Sequence, residues 1–146
     1  MSIHQYYAEK KDIMDIFNLL VEYKELDLED CNYPDIDKEK LLNFLNTILA
    51  KGKIILLKDL DTDKLIGCCL YNKSEYFFSR TEIMIIQIIY IKQDYRNFNL
   101  VKQIVESVKK QAENMPLVLS ITSGLGIDPV FQKLGFENMG CNWRLL

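Results

Sequence analysis

The hydrophobic pattern is strongest between residues 82 and 111. Residues 83–91 are apolar at every position except Gln87 and are rich in β-branched side chains. Because an amphipathic strand would alternate apolar and polar positions, this run predicts a strand that is buried on both faces at the centre of a sheet. After a polar turn at residues 92–99, apolar side chains recur at helical spacing and predict a helix over residues 100–112.

Weaker patterns predict the remaining elements. Gly52 is expected to cap the second of two early helices, and Gly135 to stop a short late one. A helix joins the strand at 83–91 to the next strand, so these two strands should pair in parallel. Together with the antiparallel strands before them they predict a mixed sheet. The whole chain, residues 1–146, is expected to form one α+β domain. The other predicted elements are strands at 2–7, 53–58, 65–71, 117–122 and 137–146, and helices at 11–25, 38–51 and 128–134.

Composition narrows the function classes. The net charge of −3 argues against a general nucleic-acid-binding surface, and no apolar run reaches membrane-spanning length. We therefore expect neither a nucleic acid nor a membrane as partner, and a cytoplasmic location. The 4 cysteines form no CxxC pair and His4 is the only histidine, which argues against a metal site and against a histidine-dependent hydrolase. The thiols are expected to be reduced and mostly packed.

The polar turn at residues 92–99 has the chemistry of a phosphate site. It carries a basic residue and asparagines and leads from a buried strand into the start of a helix. The first amides of a helix have no intrahelical partners, and the helix dipole favours an anion there. Arg96 can add a forked donor that stays charged. The alternative is a merely capped helix behind a solvated turn.

Two motifs of this sequence resemble those of a known family. The segment IIYIKQDYRNFNLVKQIV, residues 88–105, is similar to a strand–turn–helix motif of the form L-x-V-x-P-x-x-R-G-x-G-x-G/A. The later FQKLGF, residues 131–136, is similar to the family motif Y-E-K-L-G-F. Both motifs belong to the GCN5-related N-acetyltransferase (GNAT) superfamily, and they occur here in the family's order. The resemblance implies the GNAT acyl-CoA N-acyltransferase fold, acetyl-CoA as cosubstrate and no metal.

The resemblance also implies where acetyl-CoA would bind. Main-chain groups of Ile89, Tyr90 and Ile91 would pair with the pantetheine arm in a splay beside the strand at 117–122. Ser123 would bond the pantetheine or the thiol, although an ordinary loop serine is the alternative. Phe131 stands where the family often has the tyrosine that protonates the thiol. The phosphates would meet the turn and the first helical turn, which comprise Arg96, Asn97, Phe98, Asn99, Leu100 and Val101.

The glycines of the family motif are replaced in this chain. Asn97, Asn99 and Val101 stand where glycine, glycine and glycine or alanine are usual. Asparagine is the non-glycine residue that best tolerates left-handed backbone geometry, so we expect Asn97 and Asn99 to take the place of the glycines. Asn99 is also a candidate for the helix N-cap.

The proton-handling residues of the family are poorly preserved. Phe131 has no hydroxyl, and Gln87, which falls where a glutamate is frequent, cannot act as a base but can orient an acceptor or a water. Glu82 is a candidate base through water, with a solvated strand-end carboxylate as the alternative. The resemblance implies direct transfer of an acetyl group from acetyl-CoA to an amine. A catalytically weak or inactive relative that binds CoA or a protein partner stays open.

An acidic stretch suggests the chemistry of the acceptor. Residues 25–37 hold 6 carboxylates and no basic side chain, and in the family this region commonly walls the acceptor site. Such a wall would attract a cationic amine, whether a small molecule or a protein lysine. A solubilising surface loop is the alternative. Whether the chain is a monomer or a homodimer also stays open.

Overall fold

The computed structural model describes residues 2–120, 128–140 and 143–145. The sequence predicts the order of its elements well, and most observed boundaries lie within two residues of the expected ones. Three short 3₁₀ turns, Lys10–Asp12, Glu29–Cys31 and Gln93–Tyr95, stand between elements. The elements are β1 Ile3–Tyr7, α1 Ile13–Asp27, α2 Lys38–Lys51, β2 Lys53–Asp59, β3 Lys64–Glu75, β4 Glu82–Ile91, α3 Phe98–Ala112, β5 Leu117–Leu119 and α4 Asp128–Lys133.

The described strands form one mixed sheet in the order β1-β2-β3-β4-β5. The first four strands are antiparallel neighbours, and β5 pairs with β4 in parallel. The predicted parallel crossover through a helix is therefore confirmed, as is the α+β class. The expectation that the strand at 83–91 lies at the centre is wrong for the described sheet, because β3 occupies the middle and β4 is next to the edge.

The two faces of the sheet carry separate apolar clusters. Helix α3 covers one face, where Ile104 and Val108 pack on Met84 and Ile86 of β4. Helices α1 and α2 cover the other face, where Tyr90 of β4 is buried. Since β4 contributes to both clusters, its predicted burial on both faces is confirmed, and this burial explains why its apolar run does not alternate.

The C-terminal part departs from the sequence prediction. Of the strand expected at 117–122, Leu117–Leu119 is formed and Ser120 has no regular structure, while residues 121 and 122 lie outside the described residues. The strand expected at 137–146 is not formed at residues 137–140 or 143–145. Other contacts take the place of strand pairing there. Gly140 has a φ of 135°, and its N–H donates to Oδ1 of Asn138. The Arg144 guanidinium donates to the main-chain carbonyl of Cys31.

Gly52 ends α2 as predicted, but not through a left-handed backbone. Its N–H donates to the carbonyl of Ile48 at 2.7 Å, with a φ of −130°. A Cβ at this position would lie 2.3 Å from the carbonyl oxygen of Tyr71, so the close approach of β3 is what requires glycine. Among the residues that the structure describes, no helix has the length and apolarity to cross a membrane, and no cluster of three metal-ligating side chains occurs.

Candidate functional site

Within the described residues, one edge of β4 is unpaired over its second half. Strand β5 pairs only with Met84, Ile85 and Ile86. From Gln87 to Ile91, β4 is bonded to β3 on one side and has no strand on the other within the described part of the chain. The predicted pantetheine-binding residues Ile89, Tyr90 and Ile91 all lie on this open segment. A ligand laid along it would meet the main-chain groups that point away from β3.

A β-bulge lies where β4 and β5 separate. Leu70 of β3 pairs with Ile88 and its neighbour Tyr71 with Ile86, which leaves Gln87 as the extra residue of β4. Bulges bend a strand and increase its twist, and this one lies directly after Ile86, where the pairing of β4 with β5 ends. The Gln87 side chain is exposed, and its Nε2 donates to Oδ1 of Asn72 at 3.0 Å. Gln87 thus lies at the opening, with its amide already engaged.

The open segment leads directly into the N-terminus of α3. This helix begins at Phe98, two residues before the predicted start, and Asn97 is its N-cap. The Asn97 Oδ1 accepts a hydrogen bond from the N–H of Leu100 at 3.0 Å, and the residue has an extended backbone with a φ of −154°. The candidate cap at Asn99 is therefore wrong, because Asn99 already lies in the first helical turn.

The expected left-handed asparagines are also absent. Among the described residues other than glycine, positive φ values occur only at Asn32, Asp63 and Glu113. Asn97 has the extended backbone of an N-cap, and Asn99 has helical backbone. Because neither conformation has a positive φ, neither position requires a glycine. Leu100 and Val101, in the first turn of α3, are buried, so their side chains belong to the core and not to the surface of the turn.

Two main-chain donors stay available at the start of α3. The amide of Leu100 is taken by the Asn97 side chain and that of Val101 by the Asn97 carbonyl at 3.4 Å. The amides of Phe98 and Asn99 make no hydrogen bond within the described chain. The Lys133 ammonium lies 4.9 Å from the centre of the Phe98 ring, which adds a positive charge beside these donors.

Arg96 is directed at α1 in this structure. Its Nη2 lies 2.6 Å from Oδ2 of Asp27, and its Nε donates to the carbonyl of Ile91 at 2.7 Å. The guanidinium also lies 5.6 Å from the centre of the Tyr90 ring. The Asp27 partner is 69 residues away in sequence, and nothing in the sequence pattern indicated this pair. The phosphate role of Arg96 stays a prediction.

Tyr90 connects the same strand to α1. Its side chain is buried on the α1 face, its Oη donates to Oε2 of Glu22 at 3.3 Å, and its ring packs on Tyr23 at 5.1 Å. Burial, and secondly the Glu22 carboxylate, raise the pKa of the Tyr90 phenol, so the hydroxyl stays protonated at neutral pH. Lys92 lies 3.9 Å from the other oxygen of Glu22.

The candidate proton-handling residues do not gather at one point. Glu82 begins β4, so it lies about 16 Å from Gln87 along the strand at 3.3 Å per residue. Phe131 is 4% exposed and packs edge-to-face on Phe136, with the ring centres 5.6 Å apart. Ser123 lies outside the described residues. At positions 131 and 87 the chain has neither the tyrosine hydroxyl nor the glutamate carboxylate that the resemblance implies.

The acidic stretch divides into engaged and free carboxylates. Asp27 pairs with Arg96, Asp35 lies 3.7 Å from Lys24, and the Asp37 Oδ1 caps α2 by accepting from the N–H of Lys40 at 3.0 Å. The other three side chains are exposed and make no hydrogen bond or ion pair within the described part of the chain: Glu25, Glu29 and Asp30. The expected negative wall is therefore narrower than the sequence suggested.

Comparison with known proteins was made by sequence and by structure. No protein-family model matches the sequence, and the search of curated proteins finds no match. Many solved structures match it over nearly the whole length. An acetyltransferase, described as predicted, from Clostridium acetobutylicum was solved with acetyl-CoA; it has a TM-score of 0.75 and 21% identity, covering 99% of this chain and 96% of that one.

Two further structures show the same fold in other bacteria. The aminoglycoside 6'-N-acetyltransferase of Acinetobacter baumannii has a TM-score of 0.72 and 14% identity, covering 99% of this chain and 97% of the other. A GNAT family acetyltransferase of Staphylococcus aureus has a TM-score of 0.61 and 19% identity, with both chains covered completely. This chain has the fold of the GNAT acetyltransferases, and the resemblance found in its sequence is confirmed at that level.

Proposed function

We propose that this chain is an N-acetyltransferase that moves an acetyl group from acetyl-CoA directly to an amine. The observation that carries the proposal is the edge of β4 from Gln87 to Ile91. In the part of the chain that the structure describes, this edge has no strand partner, and it leads to the free amides of Phe98 and Asn99 at the start of α3. An extended pantetheine arm suits the first part and a phosphate group the second. The shared fold with an acetyltransferase solved with acetyl-CoA supports the same assignment.

Main-chain groups would do most of the binding. The amides of Phe98 and Asn99 would hold the phosphates with the help of the α3 dipole, and the Lys133 ammonium would add charge. In the transfer, the amine nitrogen forms a bond to the thioester carbon as the carbon–sulfur bond breaks. The amine loses one proton, and the thiolate takes one up. With Phe131 and Gln87 in place of an acid and a base, positioning of an already neutral amine would supply most of the rate.

The free carboxylates favour a cationic amine as the molecule that accepts the acetyl group. Glu25, Glu29 and Asp30 are exposed around the end of α1, the part of the chain that the resemblance places beside the acceptor. Their summed field would concentrate a polyamine, a lysine side chain or an aminoglycoside-like amine near the opening. The deprotonated fraction of that amine would then be the species that reacts.

The alternative function is CoA binding without catalysis. Phe131 carries no hydroxyl, and the Gln87 amide is bonded to Asn72, so a chain that binds CoA without turning it over is the competing proposal. Such a protein would act as a CoA-binding or protein-interaction module. Turnover separates it from the enzyme, whereas CoA binding does not.

The test begins with calorimetric titration of the chain with acetyl-CoA and, separately, with CoA. Micromolar binding is expected, followed by acetylation of at least one member of an amine panel, detected by mass of the product. Phe98→Pro removes one amide donor at a helical position where proline is tolerated, and Phe98→Ala keeps that amide. We expect the proline variant to bind CoA more weakly than the alanine variant. Absence of binding at high micromolar concentration would overturn the proposal, and binding without turnover would favour the module.

A further inference from the structure

The contact between Arg96 and Asp27 joins the turn before α3 to the last residue of α1. The Asp27 side chain is 9% exposed and that of Arg96 31%, so the carboxylate is largely withdrawn from water and the guanidinium only in part. Because the Arg96 Nε also bonds the Ile91 carbonyl, the guanidinium is fixed on both sides. Two of its three nitrogens, Nε and Nη2, are thus engaged by protein groups.

The position of Asp27 at the end of α1 favours a cation beside it. Asp27 is the last residue of α1, and the negative end of a helix dipole disfavours a carboxylate at that position. Arg96 supplies the compensating charge. One turn earlier, Glu22 accepts from the Tyr90 hydroxyl and lies 3.9 Å from Lys92. We call these five residues, Glu22, Asp27, Tyr90, Lys92 and Arg96, the α1 latch.

The α1 latch links the two parts of the proposed site. Tyr90, Lys92 and Arg96 belong to the open end of β4 and the turn that follows it, where the phosphates would bind. Glu22 and Asp27 belong to the end of α1, immediately before the free carboxylates Glu29 and Asp30. The α1 latch is therefore the contact through which a shift of one part would reach the other.

We propose that Arg96 is a positioning residue, which holds the phosphate-binding turn against the end of α1 and couples CoA binding to the acceptor wall. This inference rests on the proposed function and assigns the phosphates to main-chain amides instead of the guanidinium. It explains why the described chain provides Arg96 with a nearly buried carboxylate partner. A phosphate donor would instead need a free guanidinium.

The two roles of Arg96 make opposite predictions for Asp27. If the guanidinium binds phosphate, Asp27→Asn releases it and leaves CoA binding unchanged or tighter. If Arg96 positions the turn, Asp27→Asn weakens CoA binding by about tenfold, within the usual range of coupling between sites. Arg96→Lys separates the roles again, because lysine keeps the charge but lacks the planar fork that holds Asp27 and the Ile91 carbonyl together.

The experiment measures the Kd for CoA by calorimetry in wild type, Asp27→Asn, Arg96→Lys and the double variant. We expect each single variant to lose about tenfold and the double variant to lose no more than either, since both remove the same contact. Asp15→Asn is the matched control: it removes one exposed carboxylate from the same helix, outside the acidic stretch, and leaves Arg96 paired. We also expect the KM for the amine to rise in Asp27→Asn and to stay constant in Asp15→Asn.

The outcomes are distinguishable. A wild-type chain that does not bind CoA overturns the proposed function together with this inference. Wild-type binding with Asp27→Asn as tight as wild type or tighter overturns the inference alone. Arg96→Lys binding as tightly as wild type does the same. Thermal unfolding of each variant establishes that the weakened binding belongs to a folded chain.

Discussion

The hydroxyl of Tyr95 donates a 2.6 Å hydrogen bond to Oδ2 of Asp59, which ties the turn before α3 to the end of β2. Asp59 is 4% exposed, and its Oδ1 accepts from the N–H of Asp61 at 2.9 Å. Since both bonds favour the ionised carboxylate, the Tyr95 bond above all, they hold the pKa of Asp59 below its usual range. The same bond raises the pKa of Tyr95.

These two shifts predict the pH dependence of the turn. A lowered carboxyl pKa contributes stability above the unfolded value of about 3.9, and this contribution is lost as pH falls through the folded pKa. A raised phenol pKa contributes below the unfolded value of about 10, and that contribution is lost as pH rises through the folded pKa. Tyr95→Phe should therefore lower Tm by a constant amount near neutral pH and by less at both extremes. A difference in Tm that is independent of pH would contradict this assignment.

The N-cap of α3 can be tested with two neighbouring asparagines. Asn97→Ala removes the side chain that accepts from Leu100 and should reduce the free energy of unfolding by about 1 kcal/mol. Asn99→Ala, inside the first helical turn, should change it by roughly 0.5 kcal/mol or less, since alanine is the better helix former. Denaturant unfolding of the two variants measures both. A larger loss at Asn99 would restore the cap that the sequence suggested.

The free carboxylates give a prediction about the acceptor. Glu29→Lys combined with Asp30→Lys should raise the KM of a cationic amine about two- to fivefold, the effect of an exposed charge contact of 0.5–1 kcal/mol. Asp27 is left out because Arg96 holds it. Asp61→Lys combined with Glu137→Lys, at two exposed positions outside this stretch, makes the same change in net charge and is the control. The effect should shrink with added salt, and a KM indifferent to the double change would remove this stretch from acceptor choice.

Tyr71 offers a test of the core below α3. Its Oη is buried and has no hydrogen-bond partner within the described chain, and burial raises the pKa of this phenol. A buried hydroxyl without a partner destabilises the fold, so Tyr71→Phe should increase the free energy of unfolding by about 1 kcal/mol. Tyr33→Phe, which removes a hydroxyl from a ring that is 39% exposed, should be nearly neutral. Destabilisation by Tyr71→Phe would mean that the hydroxyl is satisfied after all.

The fold was predictable because local patterns and the core agree. The unbroken apolar run of β4 is buried on both faces, and the stripe of α3 from Leu100 to Ala112 is buried as its spacing indicated. Polar contacts over long sequence separations were not predictable. Arg96 with Asp27 and Tyr95 with Asp59 are pairs of ordinary surface residue types, and only the packing of α1 and the β2–β3 hairpin brings them together.

The start of α3 shows why the site was harder to predict than the fold. Comparison with a glycine motif led to the expectation of left-handed asparagines. The chain instead uses Asn97 as an extended N-cap, which starts the helix two residues early and consumes the Leu100 amide. A short polar side chain satisfies either geometry, and the sequence does not decide between them.

Phe131 tests whether proton delivery limits the proposed reaction. It is 4% exposed, and the GNAT resemblance implies a tyrosine at this position that protonates the leaving thiolate. If the transfer lacks only this acid, Phe131→Tyr should raise kcat by up to about 10²-fold, the lower end of the usual gain from one general acid. The Kd for acetyl-CoA should stay unchanged, because the added hydroxyl acts after binding. Phe136→Tyr adds the same hydroxyl to the ring that packs against it and is the control for altered packing. An unchanged kcat in a folded Phe131→Tyr variant would show that thiolate protonation is not the limiting step.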